Sequence, residues 1–331
     1  MILEVRPEKN KNVDWLAGQT KQLLADQKKS WPFLKSNYDN LPSVQTRGFE
    51  FDGFEVEVQF NPERIKSSNA DVSTEAIKER KCFLCSENLP EEQNGLATNN
   101  FIILCNPYPI FPEHFTIVKR NHEPQSIENS FEELLDFSHE LGKHYTLFYN
   151  GPRCGASAPD HLHFQAVTKN IMPLERQFDA IINKYTTAVF SNGNTEIHLI
   201  EDGLRSFISF ESRNKRELIS TFSFFFNAMK KAFPSEEEPM MNITASFEHG
   251  IWRVFVFPRN VHRPKQFFAE GEDQLLISPA AVDLCGLIIT PRREDFEKIT
   301  RGDIIDIFKQ ITITKEHFEF LRKKLGESFT F

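Results

Sequence analysis

The chain has 331 residues and a net charge of −8, from 39 basic and 47 acidic residues. This length suits one large or two medium domains, and the acidic balance argues against a nucleic-acid-binding scaffold, which usually carries a basic face. No apolar run reaches the length of a membrane span, and five cysteines without a signal-like segment after Met1 favour a reducing compartment. We therefore expect a cytoplasmic protein with neither nucleic acid nor membrane as partner.

The first fifty residues predict a helical extension without any chemistry-bearing motif. Leucines recur at helical spacing from Val13 to Lys28, and Ser30-Trp31-Pro32 closes this predicted helix. From Phe54 to Phe60, apolar residues alternate with Glu and Gln, which predicts a half-buried strand.

The segment Cys82-Phe83-Leu84-Cys85 is a Cys-x-x-Cys pair. A redox dithiol usually opens a helix in a βαβ unit, whereas this pair follows the charged stretch Lys78-Glu79-Arg80-Lys81. Two ordinary buried thiols are a further alternative. As zinc ligands, the cysteines need imidazole partners, and His122 is the next suitably placed candidate, with His114 as its rival.

A compact unit follows the cysteine pair. The pattern predicts strands at 101–106, 114–118 and 146–150, with a helix from Phe131 to about Tyr145. A loop rich in small residues, 151–160, leads to the last strand of the unit.

That last strand contains the most informative motif, Asp160-His161-Leu162-His163-Phe164-Gln165-Ala166. In a strand, residues two apart share a face, so His161, His163 and Gln165 are predicted together, backed by the apolar Leu162, Phe164 and Ala166. Buried imidazoles and carboxamides need partners, so this pattern favours a site, although a satisfied polar strand face is the alternative. Cys82, Cys85, His122 and His161 would form a closed tetrahedral Cys2His2 zinc site of the structural kind, leaving His163 free for chemistry.

The loop between these strands offers groups that suit a phosphate. Asn150 supplies an amide, Arg153 a guanidinium and Ser157 a hydroxyl, while small residues free backbone N–H groups. A plain turn is the alternative. Further along, the basic segment Pro258–Lys265 either binds an anionic substrate arm or is a solvated loop.

The second half repeats the order of elements without the histidines. Its predicted strands and helix are 196–200, 205–211, helix 216–233, 242–247 and 252–257. The sequence Trp252–Phe257 stands where the histidine motif would be, so we expect this half to pack and bind substrate without a nucleophile.

At these residues the chain resembles the histidine triad superfamily, and within it the branch of galactose-1-phosphate uridylyltransferases, diadenosine tetraphosphate phosphorylases and GDP-L-galactose (GDP-hexose) phosphorylases. Cys82–Cys85 is similar to the zinc knuckle of uridylyltransferases, and His114–His122 to a segment ending in a zinc-binding histidine. His161–Ala166 closely resembles the motif of GDP-hexose phosphorylases, and Ser278–Phe296 is more loosely similar to their C-terminal segment.

The resemblance implies a role for each matching residue. His163 matches the nucleophile that forms a nucleotidyl-histidine, His161 a zinc ligand, and Gln165 the residue that steadies the phosphoryl oxygens. Gln at this third position favours transfer to a phosphate acceptor over transfer to water. Asn150 and Ser157 resemble phosphate-binding positions. Uridylyltransferases have proline where this chain has Leu162, which moves the expectation away from the uridylyltransferase proper.

We therefore expect an α+β fold of two tandem histidine-triad-like half-barrel modules. The predicted division is a helical extension at 1–50, a catalytic module with structural zinc at 51–185 and a second module without the histidines at 186–331. The expected enzyme is a nucleotidyltransferase or phosphorylase that acts on a nucleotide sugar or dinucleoside polyphosphate, with phosphate or a sugar phosphate as acceptor. A non-catalytic nucleotide-binding protein and a triad-type hydrolase are the alternatives.

Overall fold

The structure is a computed structural model that describes residues 2–4, 14–65, 73–234 and 237–329. Its strands are β1 (Ile2–Glu4), β2 (Gln45–Glu50), β3 (Glu55–Phe60), β4 (Gly95–Thr98), β5 (Phe101–Cys105), β6 (His114–Lys119), β7 (Tyr145–Asn150), β8 (His163–Thr168), β9 (Thr186–Asn192), β10 (Thr195–Glu201), β11 (Ser206–Ser212), β12 (Met241–Glu248), β13 (Ile251–Pro258) and β14 (Leu287–Thr290). Its helices are α1 (Trp15–Ser30), α2 (Pro32–Asn40), α3 (Thr74–Glu79), α4 (Phe131–Leu141), α5 (Pro173–Tyr185), α6 (Lys215–Ala232), α7 (Lys265–Phe268), α8 (Ala281–Leu284), α9 (Arg293–Lys298), α10 (Arg301–Ile311) and α11 (Lys315–Ser328). Among these described helices, none is both long and apolar enough to cross a membrane.

The first helix and its end follow the sequence pattern. The predicted helix from Val13 to Lys28 is observed as Trp15–Ser30, and Val13 itself lies outside the described residues. The helix ends because Pro32 disfavours helical backbone at Trp31, which is extended. Pro32 then begins α2 in its first turn, where a missing N–H costs no hydrogen bond.

In the described part of the chain, eleven strands form one sheet in the order β1-β4-β5-β6-β8-β7-β12-β13-β11-β10-β9. The order β4-β5-β6-β8-β7 in the first half recurs as β9-β10-β11-β13-β12 in the second. The two copies meet where β7 pairs with β12, placing Asn150 opposite Asn242. The predicted strand-strand-helix-strand-strand repeat is therefore confirmed, and with it the α+β fold of two modules. The division at residues 50 and 185 stays a prediction.

The two faces of this sheet are covered differently. One face packs against α1, α2, α4, α6 and α11, and the stacked rings of Phe131 and Phe222, with centroids 3.7 Å apart, join α4 to α6. A three-stranded sheet, β14-β3-β2, belongs to a second core that covers the other face over the second module. Over the first module, this other face borders a cavity.

Candidate active site

Strand β8 presents His163 and Gln165 to the cavity. Leu162, Phe164 and Ala166 are buried in the core on the opposite face, as the period of two predicts. His161 differs from the prediction, because the strand begins only at His163 and His161 lies in the turn that enters it. Its side chain joins the cysteines and is not one of the residues that line the cavity.

The structure brings together the four predicted metal ligands, Cys82, Cys85, His122 and His161. Their ligand atoms all lie within 4.8 Å of one another. Cys82 Sγ is 3.2 Å from His161 Nδ1, and Cys85 Sγ is 3.2 Å from His122 Nδ1. Two thiols and two imidazoles are the donor set of a tetrahedral structural zinc site.

The surroundings of this cluster also fit a metal. His161 Nε2 donates to the carbonyl oxygen of Lys119 at 2.7 Å, which directs the Nδ1 lone pair toward Cys82. His122 Nε2 lies 4.0 Å from a carboxylate oxygen of Asp160. Burial raises the pKa of the Cys82 thiol, but its contact with His161 and hydrogen bonds from backbone amides lower it overall to about 7.

The rival ligand His114 lies elsewhere, fully buried on β6. Its Nδ1 accepts from the Ile110 amide at 3.3 Å, and its Nε2 lies 2.8 Å from Gln165 Oε1. Burial, together with the charge of Arg64, lowers the pKa of His114 to about 3, so the ring is neutral at pH 7. A neutral ring whose Nδ1 accepts carries its proton on Nε2, so His114 donates to Gln165 Oε1. The carboxamide of Gln165 is thereby oriented with its NH2 group as the end that can donate into the cavity.

The imidazole of His163 is held in one tautomer. Its Nδ1 donates to the carbonyl oxygen of His161 at 2.8 Å, which leaves Nε2 as the nitrogen with a lone pair. Burial lowers the pKa of His163 to about 4. The buried Gln125 fixes the backbone here, because its Oε1 accepts from the His163 amide at 2.8 Å and its Nε2 donates to Asn150 O at 2.9 Å. No local sequence pattern singled out Gln125, whose partners are 25 and 38 residues away.

A chain of hydrogen bonds orients the second carboxamide, that of Asn150. Arg259 is fully buried, and its Nη1 donates to Asn242 Oδ1 at 2.6 Å. A guanidinium only donates, so the other end of the Asn242 amide is Nδ2, which donates to Asn150 Oδ1 at 2.8 Å. The Ala281 amide donates to the same oxygen at 3.0 Å. As with Gln165, the oxygen is used within the protein, and the NH2 group is the end that can face a ligand.

The predicted phosphate loop only partly borders the cavity. Asn150 and Ser157 line it, whereas Arg153 is not among the lining residues. Gly155 has a φ of +109°, and a Cβ atom there would lie 2.6 Å from the Cβ of Ala280. Glycine therefore allows the loop to approach the residues that begin α8.

The basic segment Pro258–Lys265 splits into two parts. His262 and Arg263 line the cavity, and Arg263 Nε donates to Ser278 Oγ at 3.0 Å. Lys265 instead forms an ion pair of 3.0 Å with Asp306. The second module thus contributes positive charge to a cavity of about 620 Å³, a volume in the range of ligand sites.

Comparisons with known proteins agree with this two-module description. Residues 23–168 match a family model described as a domain of unknown function (DUF4922), and residues 184–329 match the GDPGP1-like C-terminal domain. A galactose-1-phosphate uridylyltransferase of Staphylococcus saprophyticus is 28% identical over 197 residues, covering 54% of this chain and 38% of the relative. A Bacillus subtilis protein of the same name is 35% identical over 103 residues, 25% of this chain and 20% of the relative. The chain therefore spans well under half the length of these two relatives.

The fold also matches a solved structure over almost its full length. Yeast Ap4A phosphorylase Apa2 in complex with Ap4A aligns with a TM-score of 0.57 and 16% identity, over 89% of this chain and 97% of that chain. These comparisons support the resemblance to the histidine triad superfamily, in the branch of galactose-1-phosphate uridylyltransferases, Ap4A phosphorylases and GDP-hexose phosphorylases. The second module matches the GDPGP1-like C-terminal domain.

Proposed function

We propose that this protein transfers a nucleoside monophosphate to a phosphate acceptor through a nucleotidyl-His163 intermediate. The observation that carries the proposal is the tautomer of His163, whose Nδ1–H is bound to the His161 carbonyl in a cavity that the ring lines. A neutral imidazole with a free Nε2 lone pair is a competent nucleophile near pH 7.

The reaction has two displacements. In the first, the Nε2 lone pair attacks the α-phosphorus of the donor, so a P–N bond forms while the P–O bond to the leaving group breaks. The leaving phosphate keeps that electron pair. In the second, an oxygen of the acceptor phosphate attacks the same phosphorus, and the P–N bond breaks with its electrons returning to His163.

The amides beside His163 suit the oxygens of the transferring phosphoryl group. Gln165 and Asn150 each have their carbonyl oxygen bound by donors of the protein, so both present NH2 groups. Ser157 adds a hydroxyl to the same cavity. Donors oriented before the reaction stabilise charge on the phosphoryl oxygens without reorganising. We assign Gln165 to catalysis and Asn150, Ser157 and Arg153 to substrate binding, with Arg153 acting through its charge near His262.

We assign Cys82, Cys85, His122 and His161 to a structural zinc ion. Four protein ligands complete a tetrahedral shell, so the ion stabilises structure when bound. His161 connects the metal site to the proposed nucleophile. Its ring would bind the metal, and its carbonyl oxygen accepts a hydrogen bond from Nδ1–H of His163. A bound metal would therefore fix the position of the turn that orients His163.

The substrates that this site fits are nucleotide sugars, such as a GDP-hexose, or dinucleoside polyphosphates, with phosphate or a sugar phosphate as acceptor. Two of the similar proteins are named galactose-1-phosphate uridylyltransferases, and the similar yeast structure is an Ap4A phosphorylase with Ap4A bound. Arg263 supports an anionic leaving group, since it brings positive charge to the same cavity. Burial and the charges of neighbouring arginines lower the pKa of His262 to about 3, so its ring is neutral at pH 7.

Intact-protein mass spectrometry tests the proposal. The native protein and His163→Ala are incubated with GDP-sugars, UDP-sugars, ADP-sugars and diadenosine tetraphosphate. We expect a gain of one nucleoside monophosphate on the native chain only, removed by added phosphate. An adduct that persists in His163→Ala, or nucleotide binding with no adduct from any donor, would overturn the mechanism.

A further inference from the structure

The cavity continues from the proposed nucleophile across the sheet. Gln165 on β8 lies opposite Thr116 on β6, which lies opposite Leu104 on β5, and all three line the cavity. Neighbouring strands are about 4.8 Å apart, so this row extends roughly 10 Å from β8. A phosphoryl group at His163 therefore leaves room for the rest of a nucleotide along the row.

Aromatic rings form another part of the cavity lining. Trp31 and Phe33 come from the N-terminal extension, and Tyr108 comes from the loop after β5. The ring centroids are 6.3 Å apart for Trp31 and Phe33, and 5.7 Å apart, edge to face, for Phe33 and Tyr108. Trp31 is a core residue with only 5% of its surface exposed, so it supports the more exposed Phe33 from behind. We call these three residues the aromatic cluster.

Phe33 is unusually exposed for a large apolar residue, with 43% of its surface accessible. Phe83, from the cysteine pair, is 46% exposed and lines the same cavity. Exposed apolar rings that gather at one cavity indicate a binding surface more than a core. Aromatic rings bind other flat rings by stacking, and nucleobases are the flat rings of a nucleotide.

The extension is fastened to the first module around these rings. Asn37 Nδ2 donates to Pro107 O at 2.7 Å, and the buried Tyr38 hydroxyl donates to His114 O at 2.9 Å. Earlier in the extension, Gln27 Nε2 donates to Glu92 O at 2.9 Å and its Oε1 accepts from the Asn94 amide at 2.8 Å. These contacts involve helices on both sides of Trp31, so its ring and that of Phe33 are held where they line the cavity.

We propose that the aromatic cluster binds the nucleobase of the donor, so that the N-terminal extension completes the nucleotide site. The base is a purine, because its two fused rings offer more stacking area than a single pyrimidine ring. This inference rests on the proposed function, which puts the α-phosphorus at His163. It gives residues 31–33 a role in choosing the base.

Calorimetric titration of Phe33→Ala tests this role. The probes are GMP, AMP, UMP, CMP and ribose 5-phosphate, titrated into the native full-length protein and the variant. The native protein should bind the purine nucleotides most tightly. In Phe33→Ala their affinity should fall roughly 5- to 100-fold toward that of ribose 5-phosphate, whose own affinity should not change. Since Phe33 is largely exposed, the variant should fold, and its melting temperature checks this.

Phe268→Ala is the matched control, because Phe268 is 69% exposed and is not among the residues lining the cavity. It should leave all five affinities unchanged. Unchanged purine affinity in Phe33→Ala, an equal loss for ribose 5-phosphate, or native preference for pyrimidines overturns the inference.

These outcomes are separate from failure of the proposed function. Base-selective binding lost in Phe33→Ala without any His163 adduct would contradict catalysis alone, whereas a normal adduct with unchanged base affinity would contradict the aromatic cluster alone.

Discussion

Strands β8 and β13 occupy equivalent positions in the two modules, yet their outer faces differ in chemistry. On β8 that face carries His163 and Gln165 and borders the cavity. On β13 it carries Phe255 and Phe257, which pack against Phe178 and Phe207 with centroids 4.7 and 5.2 Å apart. The same backbone position therefore borders an open, polar cavity in the first module, whereas in the second module helices and the small sheet cover it and it contributes to the core.

The largest expected effect comes from removing the proposed nucleophile on the polar face of β8. His163→Ala should lower the rate of nucleotidyl transfer by about 10⁴-fold or more, because the covalent route is lost. A steady-state assay with the donor found by mass spectrometry measures this. His249→Ala, in the turn between β12 and β13, changes an 88% exposed histidine of the second module and should have native activity. Equal losses in both variants would contradict a specific role for His163.

Removal of the metal should be the next largest effect. We expect one zinc ion per chain by elemental analysis, and its loss in Cys82→Ser together with a melting temperature lower by roughly 10 °C. His114→Ala should keep its zinc, because His114 contacts Gln165 instead of the cysteines. The ligand assignment fails if His114→Ala loses the metal or if Cys82→Ser retains it.

On the apolar face of β13, Phe257→Ala should lower the free energy of unfolding by about 3–5 kcal/mol, because a fully buried ring is replaced by a cavity. Activity per folded molecule should stay near native, since Phe257 is not a lining residue of the cavity. Denaturant unfolding and an assay well below the melting temperature separate the two quantities. A stable but inactive variant would contradict this expectation and show that β13 also has a role in the site.

The second module nevertheless acts on the site through Asn242. Asn242→Asp keeps a partner for Arg259 but puts a carboxylate oxygen where Nδ2 now donates to Asn150, so the Asn150 amide should turn its own oxygen toward the cavity. We expect roughly 10- to 100-fold slower transfer, together with a lower melting temperature, because the new carboxylate oxygen also faces the Cys154 carbonyl to which Nδ2 now donates at 2.7 Å. In an Asn150→Ala background the same change should have almost no further effect. Additive losses in this double-mutant cycle would mean that Asn242 acts by another route.

Sequence patterns determined those features of the fold and site that depend on residues close together along the chain. The period of two separated His163 and Gln165 from Leu162, Phe164 and Ala166, and the order of elements revealed the repeat. The Cys-x-x-Cys pair with two histidines indicated the metal site, because ligand chemistry restricts which residues can serve.

The tertiary structure decided what depends on contacts between distant segments. His114 and Asn242 reach the site residues across 51 and 92 positions of sequence, and Tyr38 is bonded to His114 across 76. No local periodicity encodes which end of a carboxamide faces a ligand, because buried donors from other strands set that orientation. For the same reason the extension appeared to carry no chemistry in sequence, although folding places Trp31 and Phe33 in the cavity lining.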